Sequence, residues 1–201
     1  GQITDAVHQA DGKILMQVLH GGRYSRIPEP VAPSPIASRI NPTAPRALEH
    51  GEILQTIEDF ASCAQRARDA GYDGVEIMGS EGYLITQFIS LRTNQREDEW
   101  GGSLENRLRF PIEVMRRTRE VCGQDFIVLY RLSMLDLVEG GLSWDETVKL
   151  AQALEAAGAT MFNTGIGWHE ARIPTIMHSV PRGAFTWATA RMMDKVGIPL
   201  I

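Results

Sequence analysis

A tyrosine, a histidine, an arginine and a glutamine, each placed just where an apolar run ends, are the residues of this chain with the most chemistry to offer. Tyr83 follows the run "GVEIM" in "GVEIMGSEGYLITQF", with Glu81 two residues before it. A phenol carries its proton at neutral pH and can donate it. His169 stands after "NTGIGW" and could polarise a carbonyl or hydrogen-bond that phenol. Arg131 interrupts "FIVLYRL", and a guanidinium in such a run needs an anionic or strongly polar partner. That partner is either a bound anion or electron-rich ring, or a carboxylate on a neighbouring strand, with Glu76 the candidate. Gln17, in "KILMQVLH", could hydrogen-bond the same ligand or be a satisfied core amide. A structural role is the ordinary one for each of these residues alone. Their shared position at strand ends is what gives them weight together.

The elements that must hold these residues alternate between apolar strands and amphipathic helices. Residues 13–20 read as a strand, and a loop follows with prolines at 28, 30, 33, 35, 42 and 45, too many for a regular element. Ile53, Ile57, Phe60, Ala64 and Ala67 recur at helical spacing within 52–70, and Gly71 stops that helix. "GVEIM" is the second strand. Ser103 caps a short turn through Arg109, and Pro111 is expected to open a separate helix running to Val121, because an interior proline costs about 3 kcal/mol. "FIVLYRLS" is the third strand. Ser143 and Glu146 form a capping box before "WDETVKLAQALEAAG". "TMFNTGIG" is the fourth strand, followed by a helix around 186–196 and a new strand from Ile198.

Strand then helix, four times over, implies right-handed crossovers and a parallel sheet covered on both faces. No G-x-G-x-x-G follows a strand, which counts against a dinucleotide fold. Gln17, His20, Glu81, Tyr83, Arg131, Asn163 and His169 all fall at the C-terminal ends of strands, where (β/α)8 barrels keep their chemistry. The expected fold is therefore α/β, a (β/α)8 TIM barrel.

Composition narrows the function classes. The chain has 201 residues, 43% hydrophobic and 22% charged, with a net charge of −5. Those values suit one globular unit with a substantial core, and no basic stripe points to nucleic acid. No run reaches the ~18–20 apolar residues of a membrane span, and the N-terminal "GQITDAVHQADGK" is too polar for a signal peptide. The two cysteines, Cys63 and Cys122, have no metal-ligand spacing, and no metal site is expected. A cytoplasmic setting fits this pattern. A first residue Gly1 and an end at "VGIPLI" suggest a segment of a longer protein.

The stretch "LRTNQREDEWGGSLENRLRF" (91–110) reads physically as a salt-bridged loop leading into a helix, scaffold for the most part. It also closely resembles the signature of the old yellow enzyme family of FMN-dependent oxidoreductases, and "GYLITQF", "QVLHGGR" and "YRLS" fit the same family. The resemblance covers essentially the whole chain. It implies a partial barrel, residues 1–201, spanning about the third to sixth βα units and the start of the seventh strand. The N-terminal strands and any C-terminal iron–sulfur, FAD and NADP regions would lie outside it.

The resemblance implies that Gln17 contacts the flavin pyrimidine and that Arg131 lies beside flavin N1. It makes Tyr83 the proton donor. Met78 and Glu81 stand where ene reductases of the family place carbonyl-gripping residues. Leu91-Arg92 replaces a proline-containing segment, and "GIGWHEARIPT" is also unlike the ordinary members. These three departures resemble the bacterial 2,4-dienoyl-CoA reductase branch. In that branch Tyr83 and His169 would act together, and Arg92, Arg172 and Glu81 would serve the acyl-CoA substrate. The implied cofactors are FMN, with FAD, a 4Fe-4S cluster and NADPH in the parent enzyme, which acts in breakdown of unsaturated fatty acids. The implied partners are the acyl-CoA and the remainder of its own polypeptide, with neither nucleic acid nor membrane. A simpler ene reductase without the cluster is the alternative. A fragment inactive by itself, binding FMN weakly or not at all, is the second. A non-flavin barrel lyase ranks last, since no Schiff-base lysine sits at a strand end.

Overall fold

The computed structural model describes residues 1–201. After helix α1 (Gln2–Gln9) come strand β1 (Leu15–Val18), a 3₁₀ turn at Gly22–Tyr24, and two short strands, β2 (Val31–Ala32) and β3 (Arg46–Ala47). Helix α2 (His50–Asp69), strand β4 (Gly74–Gly79) and helices α3 (Leu84–Ile89) and α4 (Leu104–Cys122) follow. Strand β5 (Ile127–Leu135), helix α5 (Trp144–Ala156), strand β6 (Met161–Ile166) and helix α6 (Thr186–Met192) complete the order.

The main sheet runs β1-β4-β5-β6, parallel throughout, and Leu200 bridges Phe162 in parallel at the start of a further strand. Sequence neighbours are therefore sheet neighbours, as in an arc of a (β/α)8 barrel. Period-2 alternation gives the sheet two faces. Val75, Ile77, Val128, Tyr130, Leu132 and Phe162 pack with helix residues such as Ile53, Ile57, Phe60, Val114, Met115 and Leu154 in one apolar cluster. Ile77 is 1% exposed and Phe162 0%, and each such burial contributes about 1.5–3 kcal/mol. The other face carries Gln17, Glu76, Arg131 and Asn163. This alternation is why the polar residues interrupt the strands without disrupting the core.

Helix ends follow their sequence signals. Ser143 Oγ accepts from the Glu146 N–H and the Glu146 side chain returns to the Ser143 N–H, completing the capping box. Ser103 Oγ accepts from the Asn106 N–H at 3.3 Å. The boundary expected at Pro111 is absent: α4 runs unbroken from Leu104 to Cys122 with the proline inside it. Pro111 sits on the buried face beside Phe110, Val114 and Met115, all 0% exposed. Packing of that face offsets the one lost hydrogen bond. The proline-rich stretch does contain regular structure, the 3₁₀ turn and the parallel β2–β3 pair. The helix expected over 186–196 ends at Met192.

Segment 91–110 acts as a brace. Asn94 Nδ2 donates to Phe88 O at 2.6 Å and to Trp100 O at 2.7 Å. Arg96 donates to Leu48 O at 2.6 Å and pairs with Asp98 at 2.6 Å. Arg107, nearly fully buried, reaches Ile89 O and Glu146. These contacts fix the proline-rich segment and α5 relative to α3.

Candidate active site

The loop from β4 to α3 is only four residues long and has an unusual backbone. Glu81 adopts φ +65° and Gly82 φ +91°. A non-glycine residue held in the left-handed region costs energy, and such residues gather at functional sites. The turn aims the Glu81 carboxylate across the strand ends. Glu81 Oε1 accepts from Arg131 Nε at 3.1 Å and lies 3.0 Å from the second guanidinium nitrogen. Its other oxygen lies 3.3 Å from His169 Nε2. His169 Nε2 is also 2.9 Å from Tyr83 Oη, with the two rings edge to face at 5.2 Å. Three strand ends thus contribute to one constellation: Glu81 and Tyr83 after β4, Arg131 in β5, His169 after β6.

The carboxylate partner of Arg131 is Glu81, not Glu76. In the β4–β5 register Arg131 stands opposite Met78, two residues beyond Glu76. Glu76 is taken by its own neighbours instead. It accepts from Gln17 Nε2 at 2.7 Å and from Asn163 Nδ2 at 2.7 Å, tying β1 to β6 across the inner face.

Burial raises the Tyr83 phenol above its ordinary range, and the nearby Glu81 carboxylate raises it further. Both effects disfavour the phenolate, so Tyr83 keeps its proton. His20 is shifted the opposite way, since burial lowers its imidazole. Its Nδ1 accepts from the Gly22 N–H at 3.0 Å, a task for the neutral ring.

Glu81, Arg131 and His169 line an open cavity of 550 Å3 together with Ile173, Met177 and Phe185, while Tyr83 does not itself line it and meets it through His169. Its walls are half polar at the strand ends and apolar along the segment after β6. Neither Arg92 nor Arg172 lines it. Arg172 is exposed, and Arg92 is half-buried with its Nε unpartnered. The structure therefore gathers Glu81, Tyr83, His169 and Arg131, places Gln17 on the same sheet face but bonded to Glu76, and leaves Arg92 and Arg172 apart.

A second group had no sequence signal. Glu170 Oε1 accepts from Tyr24 Oη at 2.9 Å and pairs with Arg23, and Glu170 Oε2 accepts from the Arg39 N–H at 3.1 Å. Arg23 and Glu170 are 147 residues apart in sequence. The Tyr24 ring lies edge to face with both Tyr83, at 5.8 Å, and His169, at 6.2 Å. The loop after β6 is held at neighbouring points too. Trp168 Nε1 donates to Asp136 Oδ1 at 2.8 Å, and the His169 N–H donates to Glu81 O at 3.1 Å. Asp136 is buried, and desolvation raises its carboxyl despite donors from Ser133, Leu142 and Trp168.

No helix is long and apolar enough to cross a membrane, and no group of three or more His, Cys, Asp or Glu side chains is arranged to hold a metal.

Comparison with known proteins agrees with this fold. A complex of 2-naphthoyl-CoA reductase with 2-naphthoyl-CoA superposes with a TM-score of 0.95 at 31% identity, over 99% of this chain and 33% of that one. An old yellow enzyme homologue from Zymomonas mobilis superposes with a TM-score of 0.78 at 28% identity, over 98% and 58%. Among curated relatives, a metal reductase of Desulforamulus reducens is 38% identical over 100% of this chain and 30% of its own length. An NADH oxidase of Thermoanaerobacter brockii is 39% identical over 100% and 32%. The chain thus spans about a third of the length of these two relatives. The sequence profile of the NADH:flavin oxidoreductase / NADH oxidase family matches residues 1–198. With the strand-end constellation in place and nearly every residue matched, the chain belongs to the NADH:flavin oxidoreductase / NADH oxidase family.

Proposed function

We propose that this chain is the flavin- and substrate-facing part of an FMN-dependent oxidoreductase that reduces a conjugated enoyl thioester, 2,4-dienoyl-CoA, in the breakdown of unsaturated acyl chains. The observation that carries this reading is the 2.9 Å contact between Tyr83 Oη and His169 Nε2, beside a cavity that holds the Arg131–Glu81 ion pair. Family membership supports the redox class, and the likeness to a CoA-thioester reductase supports the substrate class.

The residues present fit FMN. Gln17 and Arg131 share the inner face of the sheet, an amide and a guanidinium on strands flanking β4, which matches the polar edge of a flavin pyrimidine. Arg131 is 29% exposed, reachable by a ligand while Glu81 keeps its charge compensated. Held by Gln17 and Arg131, FMN would supply the hydride chemistry of the reaction.

This chain's own residues supply the rest. Tyr83 holds a proton and delivers it to the α-carbon. His169 orients the phenol through its Nε2 contact and polarises the thioester carbonyl. Glu81 holds His169 at the same Nε2, 3.3 Å from a carboxylate oxygen, and screens Arg131. The preorganised guanidinium of Arg131 stabilises negative charge gathering on a reduced ring, the arrangement in which a fixed cation contributes most. Arg92 and Arg172 serve the CoA end of the substrate, outside the cavity. FAD and a 4Fe-4S cluster, held by the remainder of the polypeptide, would supply electrons from NADPH.

Cofactor analysis of the full-length protein, paired with an NADPH-dependent assay on a 2,4-dienoyl-CoA, tests this reading. The expected result is FMN and FAD in equal amounts with about four irons per chain, and loss of the dienoyl absorbance. FMN without iron, with reduction of simple enones but not of the thioester, would replace it with an ene reductase lacking the cluster.

A further inference from the structure

We propose that Tyr24, locked in place by Glu170, is a positioning residue that holds the hydrogen bond between Tyr83 and His169. Its catalytic consequence rests on the proton-donor reading of Tyr83; its geometric content does not.

Tyr24 touches each component of the pair. Its ring meets Tyr83 at 74° and His169 at 62°, edge to face in both cases, so it forms the wall against which the two rings meet. It also supports the backbone that carries Tyr83. A Cβ at Gly82 would lie 2.2 Å from Tyr24 Oη and 2.8 Å from its ring carbons, so the loop can pass this close only as glycine. The Tyr24 hydroxyl then anchors the ring by donating to Glu170 Oε1 at 2.9 Å.

Glu170 is the residue after His169, and its side chain is 1% exposed. Its carboxylate is saturated by Arg23, the Tyr24 hydroxyl and the Arg39 N–H. Arg23 is fixed in turn: its N–H donates to Gln87 Oε1 at 3.0 Å, and its guanidinium donates to Ala37 O at 3.1 Å. Gln87 Nε2 donates to Gly82 O at 2.7 Å, which closes the circuit on the Tyr83 loop. The loops after β1, β4 and β6 are joined through this one buried network. Without it His169 and Tyr83 belong to two loops joined directly only by the His169 N–H to Glu81 O bond and their own side-chain contacts.

Tyr24 commits its hydroxyl to the buried Glu170 carboxylate and meets Tyr83 and His169 only through its ring, which makes it a positioning residue rather than a proton donor. Placement errors of the order of an ångström cost a proton transfer up to about 10²-fold.

The test uses Tyr24→Phe, which removes the hydroxyl and keeps the ring, and Tyr24→Leu, which removes the ring, in the full-length holoenzyme. Crystal structures of both should show the Tyr83–His169 contact opening beyond about 3.5 Å, more in Tyr24→Leu. Substrate reduction should fall by about tenfold in Tyr24→Phe and about 10²-fold in Tyr24→Leu, with KM and the rate of flavin reduction unchanged. Placed on Tyr83→Phe, neither change should slow the enzyme further, because the group being positioned is gone. An unchanged contact in Tyr24→Leu, or losses that add in full to that of Tyr83→Phe, would overturn the proposal. An opened contact with a fully active Tyr83→Phe enzyme leaves Tyr24 as the positioning residue and removes Tyr83 as the acid, so the two failures are distinct.

Discussion

Two carboxylates reach the Tyr83–His169 pair, Glu81 directly and Glu170 through the Tyr24 ring, and each is paired with an arginine, yet they are built for different work. Glu81 is 21% exposed, faces the cavity, and divides its oxygens between Arg131 and His169. Glu170 is 1% exposed, faces Arg23 and Tyr24, and has no free direction left. An accessible ion pair can exchange partners when a ligand arrives, at little cost to stability. A desolvated pair with saturated hydrogen bonds cannot, and removing one member strands a buried charge. Solvent access rather than residue type separates the responsive carboxylate from the fixed one.

The sharpest way to break this comparison is Glu170→Ala. It leaves Arg23 buried and uncompensated, and is expected to cost about 3–5 kcal/mol, read from denaturant unfolding of the full-length protein. Gly82→Ala comes next. It places a Cβ against Tyr24 Oη at φ +91°, with an expected loss of about 1–3 kcal/mol and slowed substrate reduction. Glu81→Gln should change stability by no more than about 1 kcal/mol, because its pair with Arg131 is partly solvated.

Its effect belongs in the pH profile. A phenol donates only while protonated, so on the proposed role of Tyr83 activity should end where it ionises. Burial and then the Glu81 carboxylate push that ionisation upward. Glu81→Gln removes the second cause, so the alkaline limb should move to lower pH, toward the ordinary phenol range. A limb that stays put would mean that burial alone sets the Tyr83 proton. A large stability loss in Glu81→Gln with none in Glu170→Ala would reverse the comparison.

The same contrast explains what the sequence made legible. Glu81, Tyr83, Arg131 and His169 announce themselves because polar groups at the ends of apolar runs break a local pattern. The strands and the helices α2 and α5 were visible for the same reason, in periodicity and capping residues. Glu170 and Tyr24 break no such pattern. Their meaning comes from contacts 146 residues apart, which only the closed arc of strands creates. Of the partners open to Arg131, the carboxylate is Glu81 rather than the candidate Glu76, which a linear reading places on the neighbouring strand. Such a reading cannot anticipate that Glu81 takes a left-handed backbone and turns its carboxylate over the strand ends. Pro111 was misread as a boundary because local propensity was weighed without the buried face of α4.

The central claim is that Tyr83 donates the proton, and rapid mixing of the Tyr83→Phe holoenzyme tests it most directly. Flavin reduction by NADPH should remain near the wild-type rate, while reoxidation of the reduced flavin by 2,4-dienoyl-CoA should slow by about 10²–10⁴-fold. Reoxidation at the wild-type rate would contradict the account and leave the Tyr83–His169 contact a feature of packing alone.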